Sequence, residues 1–532
     1  MYSNFGIKLL RYFSIILFAL LVMSCKTIPT SSEHLKQIDV EATLDNLIPI
    51  PVSINKTGGI FVLSGGSNIC IEPSNDETIF IGNYLADKIN SMLQFNLPII
   101  SDGKHLNKGN IYLSTKGGDS SLGQEGYELI INENSMTLKS YHPEGLFRGI
   151  QSIIQILYSS IEHTLDSAST LKIPTCTIRD SPRFPWRGVM LDVARHFFSV
   201  DDVKKVIDMI AYYKLNRFHI HLTNDQGWRI QINSWPNLAI HGGSTQVGGG
   251  PGGYYTQQDY SKIVDYANDR YIIVVPEIDM PGHTNAAVSS YPVLNCDGIT
   301  PASYIGVDVG FSSLCIDKDS TYIFVDDVIR ELSSITKGPY LHIGGDEALA
   351  TDIAGYIDFV EKVQRIVHSH GKQLIGWEEI AQSRLEENSI VQLWKNSNMV
   401  QNAVGQKAKL ISSPSSKIYL DMKYDSSTLL GQDWAGYIEV SDAYNWDPLT
   451  FISGVTEYNI LGVEAPLWTE TVSNLEEIEF MLFPRLPGVA EIGWSPVELR
   501  NWEEYKLRLA GHGFHWKKMG VNFYRSPEID WE

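Results

Sequence analysis

The sequence contains little positive charge and little cysteine. Its 532 residues include 42 Lys and Arg against 62 Asp and Glu, so the formal net charge is −20. Such a surface repels phosphate backbones, which argues against nucleic acid as a partner. The five cysteines form no C-x-x-C pair and no Cys/His spacing typical of zinc. We therefore expect no bound metal and no cofactor.

A phosphate-binding motif is also missing. The glycine-rich loop at residues 242–253 contains no Gly-Lys-Ser/Thr. The polar segment before it does not give the tight strand-to-helix turn that a dinucleotide site requires. We interpret this segment as a flexible loop over the functional site.

The amino terminus has the layout of an export signal. Basic residues precede an apolar run at 12–23, as in secretory signals rather than membrane spans. The run ends in Val22-Met23-Ser24-Cys25, which resembles a bacterial lipobox. We therefore expect residues 1–24 to be a lipoprotein signal peptide and Cys25 to be lipidated, so that the protein is exported and anchored to a membrane of the bacterial cell envelope. An ordinary signal peptide followed by a chance cysteine is the alternative, and export follows from it as well.

Export has a consequence for the remaining cysteines. Cys296 and Cys315 lie within one predicted loop. In an oxidising envelope compartment these two residues could close a disulfide.

The next part of the chain predicts a tether and a small domain. Residues 25–46 are polar with little periodicity, which is typical of a tether. Residues 47–182 combine short strands and turns with helical stretches, which predicts an α+β support domain. Strands are predicted at 60–63, 111–114, 127–131 and 136–139, the last two as a hairpin, and a helix is predicted at 145–157.

Residues 183–532 alternate strands and helices at the spacing of βα units. The strands are predicted at 188–193, 217–222, 271–275, 340–343, 373–375, 390–393, 410–411 continuing toward 418–420, and 460–465. Eight strands are the number of a (β/α)8 TIM barrel, and the length suits one barrel with long loops. The predicted fold class is therefore α/β, with a catalytic barrel preceded by the small α+β domain.

Polar and aromatic side chains recur where these strands end. The most prominent are Asp346 and Glu347, which follow the apolar run Leu341-His342-Ile343 and two glycines. Alone, such a pair is equally typical of the solvated first turn of a helix. Acids, arginine and tryptophan at the other strand ends favour the active face of a barrel instead. Without a phosphate or metal motif, these residue types point to glycoside chemistry.

Several motifs carry a more specific resemblance. They are Leu191-Asp192-Val193-Ala194-Arg195-His196, His219-Ile220-His221-Leu222-Thr223, Pro276-Glu277-Ile278-Asp279-Met280-Pro281-Gly282-His283, residues 342–348, Tyr419-Leu420-Asp421 and Gly462-Val463-Glu464-Ala465-Pro466-Leu467-Trp468-Thr469-Glu470. From about residue 47 to its end the chain resembles the β-N-acetylhexosaminidases of glycoside hydrolase family 20. The resemblance implies release of terminal β-linked N-acetylglucosamine or N-acetylgalactosamine from glycans or chitooligosaccharides. A lacto-N-biosidase of the same family, which removes a disaccharide, and a weakly active glycan-binding lipoprotein are the alternatives.

The resemblance also implies a mechanism. Family members retain anomeric configuration because the substrate's own 2-acetamido oxygen attacks the anomeric carbon. Glu347 would be the general acid and then the general base. Asp346 would hold the acetamido N–H and stabilise the positive charge of the oxazolinium-like intermediate. Tyr419 would donate its hydroxyl to the acetamido oxygen.

Sugar recognition is implied in the same way. Arg187 would bind the 3- and 4-hydroxyls with its planar guanidinium, Glu470 the 4-hydroxyl and Asp421 the 6-hydroxyl. Trp434 would lie toward the leaving group. The pocket for the N-acetyl methyl group would be walled by three tryptophans: Trp377, Trp394 and Trp468.

One position departs from the family pattern. Asn224 precedes Asp225 where the family commonly has two Asp residues. The first acid of that pair is expected to orient His283, which would lie next to Glu347. Asn224 therefore implies a less readily protonated His283, unless Asp225 compensates. Asp279 is expected to support the same group of residues.

Overall fold

The computed structural model describes residues 43–101, 108–163, 170–395 and 398–531. The predicted signal peptide, the predicted lipidation site Cys25 and most of the predicted tether lie outside these ranges. Residues 43–46, which were predicted to be tether, belong to the folded body. Leu44 is buried, and Nε2 of His512 lies 2.8 Å from the carbonyl oxygen of Asn46. The prediction that the tether extends to residue 46 is therefore wrong for residues 43–46.

The amino-terminal domain is a mixed sheet with helices packed on it. Its strands are β1 (Ser53–Ser64), β2 (Ile69–Glu72), β3 (Ile99–Ile100), β4 (Asn110–Ser114), β5 (Tyr127–Ile131), β6 (Ser135–Lys139) and β7 (Thr170–Asp180), in the sheet order β1-β7-β5-β6-β4-β2-β3. The helices α1 (Asp76–Leu93) and α2 (Pro143–His163) pack against the sheet and each other. The predicted hairpin is present as the antiparallel pair β5 and β6.

Strand β7 was not predicted from the sequence because it contains a proline. Pro174 lies near its centre, and proline cannot donate a hydrogen bond to a neighbouring strand. The partner strand β1 has a register shift between Lys56 and Ile60, and Ile60 is the residue opposite Pro174. The irregularity in β1 therefore falls where the proline lacks its N–H.

The second domain is a closed parallel barrel, as predicted. In chain order its strands are β8 (Trp186–Asp192), β9 (Arg217–His221), β10 (Thr223–Asn224), β11 (Gly227–Trp228), β12 (Ile273–Glu277), β13 (Tyr340–His342), β14 (Gln373–Trp377), β15 (Ile390–Leu393), β16 (Lys409–Ser412) and β17 (Ile460–Leu467). β10 and β11 form a separate ribbon, and the others close the barrel in the order β8-β9-β12-β13-β14-β15-β16-β17. The predicted continuation of the seventh barrel strand toward 418–420 is wrong, because β16 ends at Ser412 and Ser415–Ile418 is a short helix.

Helices alternate with the barrel strands and extend to the carboxyl terminus. They are α3 (Val200–Tyr212), α4 (Asn237–Ile240), α5 (Gln257–Asn268), α6 (Asn285–Ser290), α7 (Asp319–Ile335), α8 (Ile353–Ser369), α9 (Met399–Gly405), α10 (Ser415–Ile418), α11 (Val440–Tyr444), α12 (Pro448–Phe451), α13 (Leu475–Leu482), α14 (Leu486–Trp494) and α15 (Trp502–Met519). Ser199 caps α3 by accepting a hydrogen bond from the backbone N–H of Asp202. Within the described ranges, no helix has the length and apolarity needed to cross a membrane.

The amino ends of the first barrel strands rest on the small domain through buried polar contacts. Lys214, which precedes β9, has its Nζ 3.0 Å from Oδ2 of Asp180 and 2.8 Å from the hydroxyl of Tyr127. Nearby, Glu125 of the small domain pairs with Arg148 and with Arg187 of β8. Because this end of the barrel is covered, the carboxyl ends of the strands are left to carry a site.

Candidate active site

The carboxyl end of β13 carries the two acids that the sequence singled out. The chain turns there through Gly344 and Gly345, whose φ angles are 67° and 97°. A Cβ atom at Gly344 would lie 1.8 Å from Oδ1 of Asp279, so only glycine fits. Asp346 and Glu347 follow this turn, and Glu347 has a left-handed φ of 47°. Backbone strain of this kind in a non-glycine residue is concentrated at functional sites.

A cavity of about 360 Å³ opens at this end of the barrel. Its volume is near the lower end of the range of about 300–1,000 Å³ that is typical of ligand sites. The following residues predicted from the sequence line it: His283, Asp346, Glu347, Trp394, Tyr419, Asp421, Trp434, Trp468 and Glu470. Other residues without a predicted role line it too: Arg195, Val307, Val309, Lys395 and Gln432.

His283 connects the acids behind this cavity. Its Nδ1 is 3.5 Å from Oδ2 of Asp225, and its Nε2 is 3.6 Å from Oδ2 of Asp346 and 3.7 Å from Oε2 of Glu347. Burial alone would lower the pKa of His283, but Asp225 and Asp346 raise it well above its usual value. His283 is therefore readily protonated beside both acids despite Asn224, because Asp225 provides the compensation that the sequence left open.

The acids around the turn have pKa values shifted in different directions. Burial and the charge of Asp346 raise the pKa of Asp279 well above its usual value. Burial would also raise the pKa of Asp346, but His283 outweighs it and that pKa lies below its usual value. For Glu347, burial and then the charge of Asp346 raise the pKa. An ionised Asp346 thus lies beside a Glu347 that keeps its proton to higher pH, a separation typical of acid and base roles.

Aromatic rings form the walls of the cavity. The rings of Trp394 and Tyr419 are nearly parallel, at 9°, with centroids 6.4 Å apart. Trp434 stands almost perpendicular to both and is 55% exposed at the mouth. Trp468 adjoins Tyr419 and lies 5.8 Å from Trp377, which contacts it from behind. Burial raises the pKa of Tyr419 well above its usual value, so its hydroxyl keeps its proton and can donate a hydrogen bond.

Glu277 fixes the position of Trp377 from beneath. Its Oε1 accepts the indole N–H of Trp377 at 2.9 Å. Burial would raise the pKa of Glu277, but neighbouring histidines lower it well below its usual value. These histidines, with nitrogens 2.5 to 3.1 Å from the carboxylate, are His219, His221 and His342. The wall of the cavity therefore rests on an ionised carboxylate inside the barrel.

Arg187 does not belong to the site, and the prediction that it binds sugar hydroxyls is wrong. It is the second residue of β8 and lies at the covered, amino end of the barrel. Its side chain is fully buried and pairs with Glu125. The carbonyl oxygens of Phe184 and Lys214 accept its remaining hydrogen bonds at 2.8 and 3.1 Å. Arg187 therefore joins the barrel to the small domain.

Arg195 follows the carboxyl end of the same strand and lies in the cavity. Its guanidinium is 4.8 Å from the ring centroid of Trp468, and its Nε is 3.8 Å from Oε1 of Glu470. Among the described residues, Nε of Arg195, Oε2 of Glu470 and Oδ1 of Asp421 have no hydrogen-bond partner. Buried polar atoms are normally paired, so this side of the cavity is suited to a ligand that carries hydroxyl groups.

Asn224 contacts a different histidine from the one predicted. Its Oδ1 accepts the backbone N–H of Asp225 at 2.7 Å, so its amide nitrogen faces Nε2 of His221 at 2.9 Å. Nε2 therefore accepts this bond, while Nδ1 of His221 donates to Glu277. The acid that faces His283 is Asp225, and the predicted contact between Asn224 and His283 is wrong.

Asn224→Asp is expected to make stability depend on pH. The new carboxylate would face the lone pair of Nε2 of His221, which also has Nη1 of Arg195 at 3.5 Å. A proton on Nε2 would turn the repulsion between the lone pair and the carboxylate into a hydrogen bond. The unfolded chain, with an ordinary histidine pKa of about 6.5, gives up this proton above that pH. The stability of the variant relative to the wild type should therefore fall as pH rises above about 6.5, by about 1–3 kcal/mol.

Thermal unfolding of the variant and the wild type at about pH 6 and about pH 9 checks this dependence. Asn134→Asp, in the exposed turn between β5 and β6, controls for added charge. A loss of melting temperature that is equal at both pH values would contradict the assignment of Asn224 to His221.

A disulfide-closed loop contributes to the mouth of the cavity. Cys296 and Cys315 are joined by a disulfide, with Cα atoms 4.9 Å apart. The loop between them brings Val307 and Val309 to the cavity. No sequence pattern marked these two valines, because their place depends on the path of the loop.

The glycine-rich loop at 242–253 borders the site. The backbone N–H of Gly248 donates to the carbonyl oxygen of Ile305 at 2.9 Å, and that of Val247 donates to the carbonyl oxygen of Arg195 at 2.9 Å. The guanidinium of Arg229 also donates to carbonyl oxygens at both ends of the loop. These bonds tie the loop to its neighbours, in contrast to the predicted flexible segment.

The barrel and its cavity define a class of protein. Two acids with pKa values shifted in opposite directions, an arginine and an aromatic-walled cavity at the carboxyl ends of barrel strands are the site of a glycoside hydrolase. Comparison with known families agrees. Residues 184–497 match the catalytic domain of glycosyl hydrolase family 20, and residues 45–181 match domain 2 of the same family. The chain belongs to glycosyl hydrolase family 20.

Individual relatives are similar over nearly the whole chain. A β-N-acetylhexosaminidase of Cellulomonas fimi is 38% identical over 489 residues, which cover 91% of this chain and 97% of the relative. The solved structure of the family 20 β-N-acetylhexosaminidase of Streptomyces coelicolor A3(2) has a TM-score of 0.88 and 46% identity, covering 92% of this chain and 99% of that one. The N-acetyl-β-hexosaminidase of Streptomyces plicatus, solved with Thio-NAglucal, has a TM-score of 0.87 and 46% identity, covering 92% and 98%.

Proposed function

We propose that the protein is an exo-acting β-N-acetylhexosaminidase that releases terminal β-linked N-acetylglucosamine or N-acetylgalactosamine with retention of configuration. The observation that carries the proposal is the pair Asp346 and Glu347, which line the cavity at the open end of the barrel with His283 3.6 and 3.7 Å from their carboxylates. The pKa of Asp346 lies below its usual value and that of Glu347 above it, as acid and charge-stabilising roles require. The second support is the activity named for relatives at 38% and 46% identity.

In the first step the substrate's acetamido oxygen attacks the anomeric carbon while Glu347 gives its proton to the leaving oxygen. The bond to the leaving group breaks as the bond to the acetamido oxygen forms. Asp346 accepts the acetamido N–H on its unpaired Oδ1 and balances the positive charge of the oxazolinium. Tyr419 donates its hydroxyl to the acetamido oxygen and orients it for attack.

In the second step Glu347 acts as a base. Its carboxylate takes a proton from water, and the water oxygen attacks the anomeric carbon and expels the acetamido oxygen. Two displacements at one carbon give retention. The imidazolium of His283, 3.7 Å from Glu347, stabilises the carboxylate between the steps.

Recognition is assigned to the polar and aromatic lining of the cavity. Arg195, Asp421 and Glu470 bind ring hydroxyls, with Arg195 in the role that the sequence gave to Arg187. The N-acetyl group is enclosed by Trp377, Trp394 and Trp468. The exposed Trp434 contacts the leaving group. The cavity of about 360 Å³ suits one sugar unit better than two, which favours an exo-hexosaminidase over a lacto-N-biosidase.

Hydrolysis of three p-nitrophenyl glycosides tests the proposal: the β-N-acetylglucosaminide, the β-N-acetylgalactosaminide and the β-lacto-N-bioside. The expected result is cleavage of one or both monosaccharide substrates. NMR of the first sugar product should show that its anomeric configuration is retained. Cleavage of the disaccharide substrate alone would favour the lacto-N-biosidase. Sugar binding without any cleavage would favour a glycan-binding protein.

We also propose that the enzyme works in the bacterial cell envelope, anchored by a lipid on Cys25. The motif Val22-Met23-Ser24-Cys25 and a disulfide between Cys296 and Cys315 support an exported protein. Labelling of cells with a fatty-acid analogue should mark the wild type and not Cys25→Ala. Equal labelling of the two proteins would contradict lipidation at this residue.

A further inference from the structure

Lys395 differs from the other charged residues of the cavity because its side chain is exposed while its backbone is held by a buried carboxylate. Its Nζ lies 3.8 Å from Oε1 of Glu347 and 3.7 Å from the ring centroid of Trp394. The backbone N–H groups of Trp394 and Lys395 both donate to Oε2 of the buried Glu378, at 3.0 and 3.1 Å. The backbone of Lys395 is thus anchored, while 48% of its side chain is exposed.

This ammonium group lies on the leaving-group side of the cavity. Glu347 is the residue proposed to protonate the leaving oxygen, so a charge 3.8 Å from its carboxylate is close to the group that departs. The exposed Trp434, at the mouth, stands 6.0 Å from Trp394, whose ring Lys395 covers. The side chain of Lys395 therefore lies between Glu347 and solvent.

Another cation of the cavity, besides the buried His283, is Arg195. Its side chain is 5% exposed and has Asp192 at 3.4 Å and Glu470 at 3.8 Å. Lys395, by contrast, has a single carboxylate within 4 Å among the described residues, and that carboxylate must be protonated to act as an acid. An anion arriving with the substrate would therefore meet Lys395 first.

Without an anionic ligand, the charge of Lys395 opposes the role of Glu347 as an acid. Burial and Asp346 raise the pKa of Glu347, whereas His283 and Lys395 lower it. A general acid needs its proton at the start of the reaction, so a neighbouring cation weakens it. A negative charge on the leaving sugar would pair with the ammonium group and offset this effect.

We propose that Lys395 recognises an anionic group, a carboxylate or a sulfate ester, on the leaving sugar, so that the enzyme favours N-acetylhexosamine linked to a uronic acid or a sulfated sugar. This inference rests on the proposed function and adds a substrate class to it. The formal net charge of −20 does not oppose such binding strongly. Charges more than about 8 Å apart are largely screened at physiological salt, whereas a contact with Lys395 is local.

Three disaccharides that differ only at C6 of the leaving sugar test this. They carry N-acetylglucosamine β-linked to O4 of glucose, of glucuronic acid or of glucose 6-sulfate. For the wild type, kcat/KM with one of the anionic substrates should exceed that with the neutral substrate about fivefold at low salt. This ratio should fall to about one in Lys395→Met, be kept in Lys395→Arg, and shrink as salt is added.

The anionic substrate with the higher ratio shows whether a carboxylate or a sulfate is recognised. A wild-type ratio of about one for both anionic substrates would overturn the proposal, and so would an unchanged ratio in Lys395→Met. Cleavage of the neutral disaccharide in either case leaves the proposed hexosaminidase function intact. If the wild type cleaves neither the three disaccharides nor the p-nitrophenyl glycosides, the proposed function itself fails.

Discussion

Glu347→Gln is expected to lower kcat for an unactivated disaccharide by about a thousandfold, because the amide cannot give a proton to the leaving oxygen. The loss in the first step should be much smaller with a 2,4-dinitrophenyl glycoside, whose leaving group departs without protonation. Water activation would then limit turnover, since the same residue is the proposed base. Azide, a nucleophile that needs no base, should accelerate the reaction of this substrate and yield a β-glycosyl azide.

The comparison of kcat for the two substrates, with and without azide, separates acid/base loss from general damage. Glu387→Gln, on an exposed loop, is a matched control and should behave as the wild type. An equal loss with both substrates and no effect of azide would contradict the role of Glu347. A wild-type rate with the disaccharide would place the acid elsewhere.

The barrel could be predicted because its strands are apolar and its helices amphipathic. β8, β12 and β17 are buried along nearly their whole length, so their sequences read as hydrophobic runs. The same pattern located Asp346 and Glu347, since side chains directly after a buried strand reach the active face. Local sequence was thus sufficient for the fold of the barrel and for the centre of the site.

The assignment of the sugar-binding arginine failed although the sequence contained the information. Arg187 stands before the apolar part of β8 and Arg195 follows the end of this strand. In a parallel barrel those positions lie at opposite ends, about 20 Å apart for a strand of this length. Position relative to the strand, rather than residue type, decides which arginine reaches the cavity.

Contacts between distant segments could not be predicted in this way. The sequence offered His221 and His283 as partners for Asn224. In the structure Oδ1 of Asn224 accepts the backbone N–H of Asp225, which leaves the amide nitrogen facing His221. In the sequence Lys395 is distinguished only by its position after Trp394, which predicts no role. Its importance comes from the 3.8 Å that separates its Nζ from Oε1 of Glu347, which follows a different barrel strand, β13.

Asp346→Asn is expected to lower kcat for N-acetylhexosaminides by about 10²–10³-fold. The asparagine can still accept the acetamido N–H, but the positive charge of the oxazolinium then forms in a buried site without its counter-charge. The pH profile should change too. The charge of Asp346 raises the pKa of Glu347, second to burial, so its removal lowers that pKa. The alkaline limb of kcat/KM, where Glu347 loses its proton, should move to lower pH.

Azide decides what kind of residue Asp346 is. When a nucleophilic carboxylate is removed from a retaining glycosidase, azide can take its place and give a product of inverted configuration. In the proposed mechanism the nucleophile belongs to the substrate, so azide should not restore the activity of Asp346→Asn, and Asp358→Asn on the exposed face of α8 should behave as the wild type. Recovery of rate with an α-glycosyl azide as product would show that Asp346 attacks the anomeric carbon itself. No recovery, together with the shifted pH profile, assigns Asp346 to the acetamido group.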